Sequence, residues 1–181
     1  MDHLEAIVEI KNIVSPEFSN KLISLIENKA KKNLPVVSGI NKVFRNVKGH
    51  DLRRKNSTDI FYWDYIAKEI ERLFLFYKIK FPLISATTIN QINLLKYNVG
   101  GKHMIHIDHI TTSNREISVI INLNDSYEGG DLIFTDQKEK EIKRLKLEKN
   151  SIIFFPSNFL YPHGIEPITK GNRYSIVTWI A

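Results

Sequence analysis

His106 and Asp108 stand two residues apart in His106-Ile107-Asp108. Side chains on a strand alternate between faces, so this spacing sets an imidazole and a carboxylate side by side. His103 and His109 fall out of phase with His106, so alternation selects one pair among the local candidates. His163, between Pro162 and Gly164 at the mouth of a later strand, would add a second imidazole. Two nitrogens and one oxygen on one side of a metal leave positions open. That donor set suits Fe(II) carrying a chelating 2-oxo acid and dioxygen. Alone, His-x-Asp is a weak sign, because a core histidine next to a surface carboxylate produces the same letters.

Arg173 adds weight. It opens Arg173-Tyr174-Ser175-Ile176-Val177-Thr178-Trp179-Ile180, where Arg173 and Ser175 share a strand face. A guanidinium grips a carboxylate with two parallel donors, and a hydroxyl adds a third hydrogen bond. A buried arginine without an anion is costly, so its partner is an acidic side chain or an anionic ligand.

The elements that must position these groups follow from periodicity. Residues 84–97, ISATTINQINLLKY, read as extended. Short strands follow around 103–108, 116–123, 131–135, 142–147, 151–155, 163–168 and 173–180. Asn124-Asp125 and Gly129-Gly130 read as turns between them. Seven or eight short strands so spaced predict an antiparallel sandwich or barrel. Ahead of them, residues 4–14 read as an entry strand. Ser15-Pro16-Glu17 then starts a helix, with Phe18, Leu22, Leu25 and Ile26 on one stripe and Lys29 to Lys32 at its end. A second helix is expected over 62–79, with a stripe of Ile66, Ile70, Leu73, Phe74 and Tyr77 ahead of Pro82. Residues 33–57 read as strands or loops. Helices first and strands afterwards give a mostly β, α+β chain with its N-terminal helices packed on one sheet.

At 181 residues the chain is expected to form a single domain, 1–181. It has no cysteine, which excludes disulfides, thiolate zinc sites and iron–sulfur clusters. No signal peptide or membrane span is read, so the expected location is cytoplasmic, with no membrane partner. The net charge of +6 is spread over separate lysine-bearing segments, which reads as a solvated surface before it reads as a nucleic-acid face.

The closing half of the chain resembles the 2-oxoglutarate and Fe(II)-dependent dioxygenases, in their prolyl 4-hydroxylase-like branch. The resemblance is an ordered series: Tyr97, Gly100, His106 and Asp108; Arg115 and Ser118 leading to Leu123-Asn124-Asp125; Gly129-Gly130-Asp131; Lys149-Asn150-Ser151 with Phe154-Phe155. His163-Gly164, Pro167, Gly171, Arg173 and Trp179 complete it. Upstream, Arg54-Lys55-Asn56-Ser57 resembles a short Arg-x-x-Ser element of the family. The resemblance implies a double-stranded β-helix, or jelly roll, with 86–181 as its catalytic core and 1–85 as helical and strand support. It implies iron on His106, Asp108 and His163, and 2-oxoglutarate held by Arg173 with help from Tyr97. It implies Arg115 on the substrate side, ascorbate as reductant, and succinate and carbon dioxide as co-products. Asp108 points to hydroxylation, since a halogenating iron needs that position vacant.

Two departures bear on the substrate. Arg173 and Leu132 stand where collagen-type prolyl hydroxylases usually carry Lys and Thr, which weighs against a collagen-type substrate. Asn122, in phase with Ser118 and Ile120, is a candidate replacement for a lost hydrogen bond to the cosubstrate. The expected substrate is a peptidyl proline in a peptide or protein, with a free amino acid as the variant. A nucleic acid demethylase is disfavoured, because the resembling demethylases carry a second arginine six residues after the first, where this chain has Trp179. A jelly-roll binding protein without turnover is the reading from another class.

Overall fold

Ser15 closes the first turn of α1 (Pro16–Lys29) by accepting from the Phe18 amide at 3.2 Å, and Pro16 supplies the preset first helical residue. Asn56 caps α2 (Ser57–Lys80) in the same way, accepting from the Asp59 amide at 3.0 Å. This second helix starts five residues earlier than its apolar stripe indicates, because its first turn is held by the cap rather than by packing. The Lys29 ammonium at the end of α1 pairs with buried Asp59 at the start of α2, joining the two helices.

The structure is a computed structural model describing residues 3–35, 43–109 and 114–181. The stretch 33–57, and the connection between the strands expected around 103–108 and 116–123, lie partly outside the described residues, at 36–42 and 110–113. The remaining strands are β1 (Val8–Ile10), β2 (Lys32–Asn33), β3 (Arg45–Asn46), β4 (Lys48–Leu52), β5 (Ile89–Tyr97), β6 (Lys102–His106) and β7 (Ile117–Asn122). They continue with β8 (Tyr127–Gly129), β9 (Leu132–Thr135), β10 (Glu141–Leu145), β11 (Ser151–Pro156), β12 (His163–Ile165), β13 (Ile168–Gly171) and β14 (Arg173–Ile180). The expected entry strand over 4–14 shortens to β1, behind a 3-10 turn at His3–Ala6. The pair β8–β13 forms a small ribbon where the sequence suggested a turn and one longer strand.

The seven-stranded sheet runs β1-β11-β7-β14-β5-β4-β2, and the five-stranded sheet runs β10-β9-β12-β6-β3; every pairing is antiparallel. This is the expected jelly roll. The first 85 residues supply four of its strands, β1, β2 and β4 to the larger sheet and β3 to the smaller. Among the described residues no helix is long and apolar enough to cross a membrane.

Alternation divides the large sheet into two apolar faces. Ile117, Val119 and Ile121 of β7, Ile152 and Phe154 of β11, and Ile176 and Ile180 of β14 pack against Leu22, Ile26, Ile66, Ile70, Phe74 and Tyr77 of the helices. The other face brings Leu95, Ile120, Ile153 and Phe155 against Leu132, Phe134 and Ile165 of the small sheet. Each such side chain, fully buried, contributes about 1.5–3 kcal/mol. Residues in phase with this second face point between the sheets, and among them are Ser118, Arg173 and Ser175.

Candidate metal centre and its cavity

His106 ends β6 and His163 begins β12, and the two are register partners across that pair of strands. Their ring centroids lie 4.5 Å apart. Asp108 lies two residues past the end of β6, not on the strand as expected, and the chain bends there. Its carboxylate still reaches both imidazoles: Oδ1 is 3.5 Å from His106 Nε2 and Oδ2 is 3.4 Å from His163 Nε2. One ligand atom from each residue fits within 4.8 Å of the others, a spacing that could hold a metal ion.

Each group is oriented from behind. His106 Nδ1 lies 2.8 Å from the Met104 carbonyl, and His163 Nδ1 lies 3.1 Å from the Tyr161 carbonyl. A ring nitrogen that donates to a carbonyl leaves Nε2 bare as a metal donor. The Ser118 hydroxyl, from β7 of the opposite sheet, donates to Asp108 Oδ2 at 2.7 Å. Its own oxygen lies 2.7 Å from Ser157 Oγ, which therefore acts as donor to it. Ser118 and Ser157 were missed by the sequence reading as orienting groups. The available signal for Ser118 was one polar residue in phase with an otherwise apolar inner face.

Burial alone would raise the Asp108 carboxyl. The two imidazoles beside it, His163 first, outweigh this and hold it well below the usual carboxylate range. Burial first, then the neighbouring His163, lowers His106, which favours the neutral ring that binds metals. His103 stacks on the His106 ring at 3.7 Å and meets Phe44 edge-on. Burial, then His106 and Arg45, push it far down, so it is a neutral packing plate against a ligand.

The cavity in front of the triad is lined also by Tyr97, Arg173 and Trp179. Arg173 is 1% exposed, and its Nε and Nη2 have no hydrogen-bond partner among the described residues. Its guanidinium carbon sits 5.2 Å from the ring of Tyr97, its register partner on β5. The buried Ser175 hydroxyl, one pleat further on, is likewise unpaired. Gly130, at φ +70°, lets the Arg173 stem pack closely: a Cβ there would collide with Ile168 Cδ1 and lie 3.4 Å from Arg173 Cδ. A divalent metal on the triad and a dicarboxylate reaching Arg173 fit these vacant donors.

Asn122 is not brought to the cavity lining. Its amide donates to the carbonyls of Asn124 (2.7 Å), Leu147 and Glu148 and accepts from Tyr127, so its capacity is spent tying β7 to the turn before β11. Arg115 lies on the other side of Asp108. Its guanidinium stacks over Trp179 at 3.6 Å and donates to the Asp108 carbonyl at 3.3 Å and to Gln91 Oε1 at 3.5 Å. Burial lowers its pKa.

Comparison with known proteins gives a consistent result. A family profile described as the 2OG-Fe(II) oxygenase superfamily matches residues 92–181. A PKHD-type hydroxylase of Gloeothece citriformis is 31% identical over 98 residues, which cover 51% of this chain and 43% of that protein. Human prolyl 3-hydroxylase 2 is 35% identical over 66 residues, covering 36% and 9%. The chain thus spans less than half the length of these relatives. A prolyl hydroxylase from Trichoplax adhaerens, solved with a hypoxia inducible factor peptide fragment, superposes with a TM-score of 0.79 at 18% identity. That alignment covers 99% of this chain and 86% of the other, and shows the shared fold. With the His-Asp-His site and the jelly roll already in place, the chain belongs to the 2OG-Fe(II) oxygenase superfamily, whose cofactors are Fe(II) and 2-oxoglutarate.

Proposed function

We propose that this chain is a prolyl hydroxylase-like enzyme that oxidises a peptidyl proline or a closely related amino-acid side chain. The observation that carries the reading is the buried Arg173, a cation without a carboxylate partner among the described residues, opening on the same cavity as His106, Asp108 and His163. Supporting it, the similar proteins named above are hydroxylases, and two of them are prolyl hydroxylases.

In this reading His106, Asp108 and His163 hold Fe(II), and Arg173, Ser175 and Tyr97 hold 2-oxoglutarate. The chemistry supplied with both bound is decarboxylation of the 2-oxo acid by dioxygen to succinate and carbon dioxide, coupled to insertion of one oxygen atom into a C–H bond. Arg173 grips the far carboxylate in a low-dielectric site, where its fork of donors is strongest. Ser175 adds one hydrogen bond to the same group. Ser118, relayed from Ser157, fixes the Asp108 carboxylate, and the Met104 and Tyr161 carbonyls keep both Nε2 atoms turned inward. Arg115, clamped between Trp179 and the Asp108 carbonyl, faces the substrate side and orients the bond to be oxidised. The apolar packing of Phe134, Phe155 and Ile120 around the histidines limits water at the metal.

The test is succinate release from 2-oxoglutarate with Fe(II), read alongside a mass search for +16 Da products over proline-containing peptides, proteins and free amino acids. Succinate release and a +16 Da peptide are expected. A product on free proline with none on any peptide would move the substrate to the small-molecule variant. No succinate with any candidate would remove the enzyme reading.

A further inference from the structure

A cavity of about 490 Å³ lies beside the metal centre, on the far side of Trp179, which lines both spaces. One end is made by Arg115, Gln91 and Trp179. The other is made by Asp51, Arg53, Arg54 and Trp63, at the end of β4, in the connection to α2 and on α2 itself. Three guanidiniums and one carboxylate line it, so its wall is cationic. Arg53 is paired with Asp51 at 2.6 Å and Arg54 with Asp64 at 2.5 Å, but all four side chains are solvent-accessible, and exposed pairs of this kind exchange partners readily. Among the described residues Arg115 has no carboxylate oxygen as a hydrogen-bond partner; it reaches one carbonyl and one amide oxygen, both at long range. The indole nitrogen of Trp179, a residue only 9% exposed, has no partner among the described residues. Trp63, under the Arg54 guanidinium at 5.6 Å, offers a flat face to a peptide chain.

We propose that this cavity is a substrate subsite for carboxylate side chains of an acidic peptide, with the β4–α2 connection as the reading element. The target residue would enter beside Trp179 and Arg115, while a flanking Glu or Asp reaches Arg53 and Arg54. The inference rests on the peptide-hydroxylase reading above. It assigns a specificity role to a segment that the jelly-roll core does not contain.

The experiment uses the chain loaded with Fe(II) and 2-oxoglutarate under nitrogen, so that binding is read without turnover. Labelled proline-centred peptides carry one Glu walked along a neutral scaffold, each matched to a peptide with Gln at the same position. Fluorescence anisotropy gives the ratio of the two dissociation constants. At one or more positions the Glu peptide is expected to bind about tenfold more tightly, with the ratio shrinking as salt is added. Arg53→Gln with Arg54→Gln should bring that ratio to within about twofold of unity, while Arg53→Lys with Arg54→Lys should keep most of it. Glu no better than Gln at every position, including no binding by any peptide, overturns the proposal. So does a ratio unchanged in the double Gln variant, or displacement of the Glu peptide by a single-stranded oligonucleotide at lower concentration than by unlabelled Glu peptide. Because binding is scored without oxygen, a chain that binds Glu peptides selectively but releases no succinate loses the enzyme reading and keeps the subsite.

Discussion

The two ends of the central cavity are built on opposite plans. At the metal end every donor is braced: each histidine has its Nδ1 at a carbonyl, and Asp108 is held by Ser118, which is held in turn by Ser157. At the other end Arg173 is buried with donors left over, and the hydroxyl of Ser175, one pleat away and outside the lining, is unpaired too. Bracing fixes direction before a metal arrives, which a small ion with strict ligand geometry requires. Unspent donors instead give affinity for an anion, since a buried unpaired guanidinium gains from any carboxylate that reaches it. One end is thus organised by the fold, and the other keeps donors free for the proposed carboxylate ligand.

The comparison is broken most severely at Asp108. Asp108→Ala removes the only carboxylate of the triad and should abolish both Fe(II) binding, followed by metal titration, and succinate release. Next comes Arg173→Ala, which should raise the 2-oxoglutarate requirement by an amount equivalent to roughly 2–5 kcal/mol, with much smaller change in metal affinity. Unchanged cosubstrate affinity there would falsify the assignment of the anion end. Ser118→Ala tests the bracing itself. It should weaken metal binding about 10–100-fold while leaving 2-oxoglutarate affinity in the metal-saturated protein less affected. The smallest effect sharpens the contrast through stability. Arg173→Leu removes an unpaired buried cation, so the ligand-free protein should melt a few degrees higher, at about 2–4 °C per kcal/mol gained. 2-Oxoglutarate should then raise the Tm of the natural chain and not that of the variant, as mass action on the folded state requires. A lower Tm for ligand-free Arg173→Leu would show that Arg173 is not a stored cost.

Much of this was legible because period-two alternation is unforgiving. Ser118 and Arg173 are in phase with the inner face of their strands, and any slip would have sent their apolar neighbours into solvent. The helical stripes were legible for the same reason at the longer period, and their residues are buried, except Phe18, which is half-buried. The start of α2 was not, because a cap acts through one hydrogen bond and leaves no periodic trace. Asp108 was selected by alternation although it sits past the strand end, where alternation no longer applies; a bend, not the pleat, brings its carboxylate to the two imidazoles. Asn122 was in phase with the inner face, yet its amide was claimed by carbonyls from a turn 25 residues away in sequence. The Arg53–Trp63–Arg115 cavity was invisible, because its walls come from five separate stretches of the chain and no local pattern encodes their meeting.

The register pairing of His163 with His106 carries a consequence for assembly. The two histidines belong to strands far apart in the chain, and they face each other only when β12 has docked on β6 without a one-residue slip. Contacts of such long range form late, after the entropy of closing the intervening loop has been overcome. Metal uptake during refolding should therefore lag behind the recovery of helical signal and coincide with closure of the smaller sheet. The proposed iron site doubles as a gauge of topological completion, silent in any chain whose two halves of the ligand set have not met in register.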